Sequence, residues 1–179
     1  IPDHKLKIKE QKFEDNELIK KITQFCKNEE NKKFIISLSG GVDSMVLISI
    51  ILNLGYEVIG AHINYNNRDE TKDEEKFLTQ WCAYNNIKLY VKNIDNIKRA
   101  NSKRCDYEVI TKNIRLDFYK ELMSKEKSNI VLLAHHKDDI VENIFANVCR
   151  GRYILDLAVI KEKSIINNIN IGRPMIDFY

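Results

Sequence analysis

The hexapeptide SGGVDS at residues 39–44 is the segment of the chain best suited to bind a phosphate group. It follows a short apolar run typical of a buried strand, residues 34–38, and precedes an apolar stretch typical of a helix. Two glycines allow a tight turn, and the N–H groups at a helix start favour phosphate. Because Asp43 would repel a phosphate on its own, its natural role is to share a Mg²⁺ ion with it. The phosphate-binding patterns GxxxxGK[ST] and GxGxxG are both absent. The alternative is a glycine-rich turn that caps a helix.

A second group of ionisable side chains lies at residues 135–142. His135 and Asp139 are four positions apart and Asp139 and Glu142 are three apart, so all three share one face of a helix. Carboxylates on that face can hold a cationic amine, and one can accept its proton. The alternatives are helix capping with solvated charge, and a zinc site. The adjacent His135 and His136 disfavour zinc because they point in different directions on a helix.

Several basic or histidine side chains follow other predicted strands. His62 ends the second strand and is either a core or rim histidine or a ligand contact. On its own, Arg115 is expected to pair with an acid on its own helix, Asp117 or Glu121. Arg173 is expected to be an exposed arginine. A basic run without an intervening acid is either a solvated loop or a contact for the phosphates of an RNA stem, and it comprises Lys98, Arg99, Lys103 and Arg104.

The elements that must position these residues alternate between strands and helices. Apolar periodicity predicts helices over residues 15–29, 44–54, 69–85, 106–127 and 137–149. It predicts strands over residues 34–38, 57–63, 87–91 and 130–134, with a final strand or hairpin over 164–171. This order predicts an α/β fold, a mainly parallel sheet with helices on both faces. Ligands bind at the carboxyl ends of such strands, so residues 39–44, 62–68, 94–115 and 135–142 are expected at one rim.

Composition sets the broad class. The chain has 179 residues, of which 44% are hydrophobic, and a net charge of +3, which permits nucleic-acid binding without demonstrating it. We predict one domain, residues 1–179, with a helical lead-in over 1–30, a nucleotide-binding core over 31–150 and an extension over 151–179. The sequence has no apolar run of about 20 residues and no signal-peptide core, so we expect a cytoplasmic protein without membrane contact. Four cysteines without a CxxC pair are expected to be free thiols.

With its strand-to-helix setting, SGGVDS resembles the signature of the PP-loop, or N-type, ATP pyrophosphatases. Members of that superfamily cleave ATP between the α and β phosphates, and the resemblance implies an adenine-nucleotide-α-hydrolase-like, Rossmann-like fold. Five other segments are similar to motifs of the tRNA(Ile)-lysidine synthase family: LAHHKDDIVEN at 133–143, CRG at 149–151, AHIN at 61–64, the helix over 106–118, and GRPMI at 172–176. The chain departs from those motifs at Tyr65, Asn67, Lys112 and Asn143.

The resemblance implies that ATP adenylates the C2 carbonyl oxygen of the wobble cytidine in a CAU anticodon. The ε-amine of free lysine then attacks C2 and releases AMP. The implied partners are ATP, Mg²⁺, tRNA(Ile) and lysine, with a homo-oligomer possible. The alternatives are another PP-loop enzyme, such as a tRNA thiolase or an amide-forming ligase, or a non-catalytic nucleotide- or RNA-binding remnant. Thiolases usually carry cysteine pairs, which this chain lacks.

The same resemblance assigns roles to individual residues. The catalytic candidates are Asp43, His135, Asp139 and Arg173, with Asp43 also the metal ligand. The ATP-binding candidates are Ser39, Gly40, Gly41, Val42, Asp43, Ser44 and His62. The lysine-binding candidates are Asp139 and Glu142. The tRNA-binding candidates are Arg68, Lys98, Arg99, Lys103, Arg104, Lys112 and Arg115.

Overall fold

The fold was analysed in a computed structural model, which describes residues 16–66, 71–94, 104–149, 151 and 160–179, with backbone alone for 104–106. The described residues form five helices, α1 Glu17–Asn28, α2 Val42–Asn53, α3 Thr71–Tyr84, α4 Arg104–Glu126 and α5 Lys137–Cys149. They form six strands, β1 Lys33–Leu38, β2 Glu57–Asn64, β3 Lys88–Asn93, β4 Val131–Leu132, β5 Lys163–Ile166 and β6 Ile169–Gly172.

The predicted order of helices and strands is confirmed, with differences at the boundaries. Helix α2 begins at Val42, two residues before the predicted start, which places Asp43 in the first turn of the helix. Strand β4 is shorter than predicted and spans only Val131–Leu132. Of the two predicted forms of the final element, the structure has the hairpin, β5 and β6, which turns at Asn167 and Asn168. Both asparagines have positive φ, which asparagine tolerates better than most residues.

The six strands form one sheet in the order β3-β2-β1-β4-β6-β5. Strands β1, β2, β3, β4 and β6 pair in parallel, and β5 is antiparallel to β6 at the edge. The predicted α/β class and the mainly parallel sheet are therefore confirmed. The chain winds from β1 outward to β3, then returns to the other side of β1 to form β4. The gap between the carboxyl ends of β1 and β4 is consequently a topological switch point, where ligands bind in open α/β sheets.

Helices cover both faces of this sheet. Alternate β1 side chains face opposite layers: Phe34, Ile36 and Leu38 belong to an apolar cluster with α1, α2 and α3, while Ile35 belongs to a cluster with α4. This burial on both faces explains why β1 is an unbroken apolar run. No described helix has the combination of length and hydropathy needed to span a bilayer. Three of the four cysteines are described, and all three are free thiols, as expected: Cys26, Cys82 and Cys149.

Two tight contacts involve the ends of the strands. Gly172, at the end of β6, packs so tightly that an added Cβ would lie 2.6 Å from Cζ of Phe25, so the close approach requires glycine. At the amino ends of the strands, the Glu126 carboxylate of α4 is 8% exposed and lies 2.6 Å from Nζ of Lys88 and 3.3 Å from Nζ of Lys33. The Tyr90 hydroxyl also donates to it. The hydrogen bond from Lys88, followed by that from Tyr90, lowers the pKa of Glu126 to about 2.

Candidate active site

The SGGVDS segment forms the turn from β1 into α2. Gly40 has φ of 86°, a left-handed conformation that disfavours side-chain-bearing residues. The Ser39 hydroxyl accepts the Gly41 N–H at 3.2 Å and lies 3.2 Å from the Ser44 hydroxyl. Ser44 in turn donates to the Gly41 carbonyl at 2.9 Å. Both serines therefore shape the turn.

The amino end of α2 is open to a ligand. Its N-cap is Gly41, which provides no side-chain hydrogen bond to the first amides of the helix. The first N–H groups of a helix have no partner within the helix. Together with the helix dipole, they favour binding of an anion, and ATP binding by residues 39–44 stays a prediction. Val42, the first residue of α2, is exposed at this end.

Asp43 occupies the same helix turn, and its side chain is 54% exposed. Magnesium in nucleotide sites is usually held by one or two carboxylates together with the phosphates of the substrate. A single exposed carboxylate beside an open helix start fits that pattern. Within the described ranges, no group of three or more His, Cys, Asp and Glu side chains could hold a metal by itself.

His62 lies near the end of β2, opposite the last residue of β1 and close to the turn formed by residues 39–44, and it is only 3% exposed. Its Nδ1 lies 2.8 Å from the carbonyl oxygen of Leu38, the last residue of β1, so Nδ1 carries the proton and donates. Its Nε2 is buried without a hydrogen-bond partner among the described residues. The structure thus places His62 inside the fold, where it fixes the strand end from which the turn departs.

Arg173 and His135 come together on the other side of the switch point. Arg173 follows β6 and is 6% exposed. Its Nε donates to Nδ1 of His135 at 3.2 Å, and its Nη1 donates to the Lys161 carbonyl at 2.8 Å and the Ser164 hydroxyl at 2.9 Å. None of these three acceptors carries a negative charge. A buried guanidinium with neutral acceptors is well placed to receive an anionic ligand.

The protonation state of His135 follows from these contacts. Burial lowers the pKa of His135; the charge of Asp139 acts in the opposite direction, and the charges of Arg173 and Arg115 lower it further. Because Nδ1 accepts from Arg173, the single proton of the neutral ring sits on Nε2. His135 is therefore a neutral hydrogen-bond donor at neutral pH. Burial also lowers the pKa of Arg173, and the nearby charge of Arg115 adds to this shift.

Arg115 reaches this site from α4, where it is half-buried. Its charge lowers the pKa of both His135 and Arg173, so this predicted residue lies near enough to the pair to act on it electrostatically. Lys112 lies one turn earlier on α4 and is exposed. The other predicted tRNA contacts cannot be located: Arg68, Lys98, Arg99 and Lys103 lie outside the described residues, as does the side chain of Arg104.

The start of α5 brings carboxylates to the same rim. The Asp139 Oδ2 atom accepts the N–H of His136 at 2.8 Å, and Nδ1 of His136 accepts the N–H of Asp138 at 3.3 Å. These reciprocal bonds form a capping box, so part of this motif does cap the helix. The Asp139 side chain is nevertheless 34% exposed, and Glu142 is exposed one turn further along. Both carboxylates remain accessible to a substrate amine.

His136 is the site residue that the sequence reasoning left without a role. Its Nε2 atom lies 3.6 Å from Oδ2 of Asp43 on α2 and 3.7 Å from Oδ2 of Asp139 on α5. The capping-box spacing, with Asp139 three residues after His136, was a visible signal for the local contact. No sequence signal indicated the contact with Asp43, because it depends on β1 and β4 being neighbours.

The arrangement as a whole can bind a polyphosphate and a cation side by side. An open helix start and one carboxylate flank the switch point on the β1 side. A neutral imidazole donor and two guanidinium groups lie on the β4 side, next to the carboxylates of α5. Such a site can stabilise negative charge on a leaving pyrophosphate and hold an amine close to it.

Comparison with known proteins shows what the chain is similar to. The sequence profile of the family described as the PP-loop domain matches residues 14–179. The chain is similar to tRNA(Ile)-lysidine synthase from Mycoplasmopsis pulmonis, with 35% identity over 151 residues, 81% of this chain and 48% of that protein. It is also similar to tRNA(Ile)-lysidine synthase from Bacteroides thetaiotaomicron, with 30% identity over 145 residues, 80% of this chain and 33% of that protein. The chain thus spans a third to a half of the length of these curated relatives.

Solved structures share the fold at lower identity. The U34-tRNA thiolase NcsA from Methanococcus maripaludis superposes with a TM-score of 0.68 and 18% identity, covering 91% of this chain and 59% of the thiolase. The NH3-dependent NAD synthetase from Campylobacter jejuni superposes with a TM-score of 0.55 and 18% identity, covering 72% of this chain and 57% of the synthetase. These similarities support the Rossmann-like α/β fold that the resemblance implied.

Proposed function

Because this chain belongs to the PP-loop domain family, we propose that it is the catalytic part of a tRNA-modifying ligase that joins lysine to C2 of the wobble cytidine of tRNA(Ile). Its similarity to curated lysidine synthases supports this choice among PP-loop activities. The observation that carries the proposal is the meeting, at one switch point, of an open helix start, the Arg173–His135 pair and the carboxylates of α5.

In the proposed first step, the C2 carbonyl oxygen of cytidine attacks the α phosphorus of ATP, and the bond to the β phosphate breaks. The first amides of α2 hold the phosphates. Arg173 and Arg115 stabilise the negative charge that builds on the departing pyrophosphate. His135 donates its Nε2 proton as a hydrogen bond, since Arg173 occupies Nδ1. Asp43 would hold a Mg²⁺ ion, which when bound neutralises phosphate charge.

In the proposed second step, the ε-amine of lysine attacks C2 and AMP leaves. The amine enters as an ammonium ion, so it must lose a proton before it can act as a nucleophile. Asp139 and Glu142 share a face of α5 and are exposed, so they can hold the ammonium group, and one of them can accept its proton. His62 contributes indirectly, by fixing the Leu38 carbonyl at the base of the phosphate-binding turn.

A lysine-transfer assay tests this proposal. The 179-residue chain is incubated with ATP, Mg²⁺, radiolabelled lysine and an unmodified tRNA(Ile) transcript with a CAU anticodon, and label in RNA is counted. We expect label that requires ATP and is lost when the wobble cytidine is replaced by uridine. ATP–pyrophosphate exchange without lysine transfer would overturn the proposed acceptor or nucleophile. Sulfur transfer to tRNA from a sulfur donor would instead identify a thiolase.

A further inference from the structure

Three carboxylates surround His136: Asp138 Oδ2 lies 3.7 Å from its Nδ1, and the two acids near its Nε2 belong to different halves of the proposed site. Its Nε2 is 3.6 Å from Oδ2 of Asp43, on the phosphate side, and 3.7 Å from Oδ2 of Asp139, on the side proposed to bind lysine. Both acids begin helices that meet at the switch point between β1 and β4. The imidazole is therefore a bridge between two elements that the chain does not connect directly.

The tautomer of His136 is fixed by its helix cap. Nδ1 accepts the N–H of Asp138 at 3.3 Å, so Nδ1 presents a lone pair and the ring proton sits on Nε2. That N–H faces the two carboxylates. Asp139 is held in turn by the backbone N–H of His136 at 2.8 Å. Without the imidazole, the negative charges of Asp43 and Asp139 would repel each other.

Burial and a neighbouring backbone hydrogen bond restrain the position of the His136 ring. The His136 side chain is 21% exposed, compared with 54% for Asp43. The next residue, Lys137, donates its N–H to the Phe178 carbonyl at 2.7 Å, which anchors the start of α5 to the last segment of the described chain. Capping alone does not require histidine here, because Asn, Asp, Ser and Thr are the preferred N-cap residues. The imidazole extends further than these side chains, and its Nε2 atom lies 3.6 Å from Oδ2 of Asp43.

We propose that His136 is a positioning residue that holds Asp43 and Asp139 at a fixed separation, so that the metal–ATP side and the lysine side of the site stay aligned. This inference rests on the proposed function for its reaction. The effect of His136 on the position of Asp43 does not depend on which acceptor the enzyme uses. A misplacement of about 1 Å between reacting groups can lower a rate by about 100-fold, so the loss of a positioning residue should lower the reaction rate measurably.

Two reciprocal substitutions separate positioning from capping. His136→Asn keeps a short acceptor for the Asp138 N–H, but cannot reach Asp43. His136→Gln is a poorer cap, but can place an amide N–H near the position of Nε2. If positioning is the role, His136→Asn has an unchanged Tm with a kcat lowered by about 10- to 100-fold. His136→Gln then has a lower Tm, but retains more activity than His136→Asn. The opposite ranking of the two activities would assign the residue to capping alone.

Nucleotide binding gives a readout that does not depend on lysidine formation. The Kd of ATP is measured for both variants by calorimetry, with Mg²⁺ and with excess EDTA. We expect wild type to bind ATP more tightly with Mg²⁺, and His136→Asn to lose most of that difference while its Kd in EDTA stays unchanged. An unaltered Mg²⁺ effect in His136→Asn would overturn the proposal. If wild type transfers no lysine but these shifts in Kd occur, the proposed acceptor fails and the positioning role stands.

Discussion

The Nε–H of Arg173 donates to Nδ1 of His135 over 3.2 Å, joining the residue that follows β6 to the loop that follows β4. This one bond fixes the imidazole tautomer and leaves Nε2–H as the donor toward the rim. It also gives a buried guanidinium a neutral acceptor in place of a carboxylate. Because its acceptors are neutral, the guanidinium of Arg173 keeps its positive charge, which can attract an anionic ligand as the proposed chemistry requires.

The first prediction concerns Asp43. Asp43→Asn should lower ATP–pyrophosphate exchange by about 100-fold or more, since metal stabilisation of phosphoryl charge is worth several kcal/mol. Stability should change by no more than about 1 kcal/mol, the usual weight of an exposed acid in a first helix turn. Asp73→Asn, an exposed first-turn acid of α3, is the matched control and should keep both exchange and stability. Normal exchange in Asp43→Asn would refute the metal role.

The second prediction concerns Glu142 on the exposed face of α5. Glu142→Gln should raise the KM for lysine by about tenfold, as expected for the loss of one charge-assisted hydrogen bond. The KM for ATP should change much less. Steady-state lysine transfer with each substrate varied in turn measures both constants. Glu30→Gln, an exposed acid just before β1, serves as the control. A parallel rise in both KM values would contradict the lysine assignment.

The third prediction concerns anion binding by Arg173. Inorganic pyrophosphate should raise the Tm of wild type, because a ligand that binds only the folded state stabilises it. Arg173→Lys keeps the charge but loses the planar fork of donors, so most of this Tm increase should disappear. Lys27→Met, at an exposed position of α1, should retain the full increase. Differential scanning fluorimetry provides the measurement, and an equal increase in Arg173→Lys would show that the anion binds elsewhere.

The fourth prediction is a pH dependence at His135. Burial lowers its pKa below the ordinary value of about 6.5, and Arg173 contributes to the shift. The unfolded chain then binds this proton more readily, so stability rises with pH: the contribution of the neutral ring is present above about pH 6.5 and is lost as pH falls through the lower folded pKa. NMR titration of the histidine ring protons should show this low pKa, and Arg173→Gln should raise it. A His135 that titrates at or above 6.5 in wild type would contradict the assigned cluster.

The fifth prediction concerns Glu126, at the edge of the sheet opposite the site. Its folded pKa of about 2 lies below the unfolded value of 4.5, so its contribution to stability is present above about pH 4.5 and is lost as pH falls toward 2. Glu126→Gln should therefore be less stable than wild type at pH 7, with a smaller difference at pH 3. Urea unfolding at the two pH values tests this. ATP binding at pH 7 should be unchanged, since Glu126 lies at the amino ends of the strands.

The sequence by itself determined the local features of this protein. The order of helices and strands was readable because apolar periodicity reflects which faces each segment buries, as in β1 and α1. The SGGVDS turn could be predicted from the sequence because its glycines, its serines and Asp43 lie within one short segment. The capping box at His136 and Asp139 is equally local, although its spacing was interpreted only as one of several alternatives.

The tertiary structure alone decided which of these segments meet. Strand β4 pairs with β1 rather than with β3, its predecessor in the chain, and this pairing brings His136 to Asp43. The β1–β2 pairing places His62 in the interior against the Leu38 carbonyl, and the β4–β6 pairing brings Arg173 to His135. Local periodicity carries no information about strand order, because every apolar strand of a parallel sheet has the same pattern. The order is set by how the crossover helices pack on the sheet, and this packing converts separate motifs into one site.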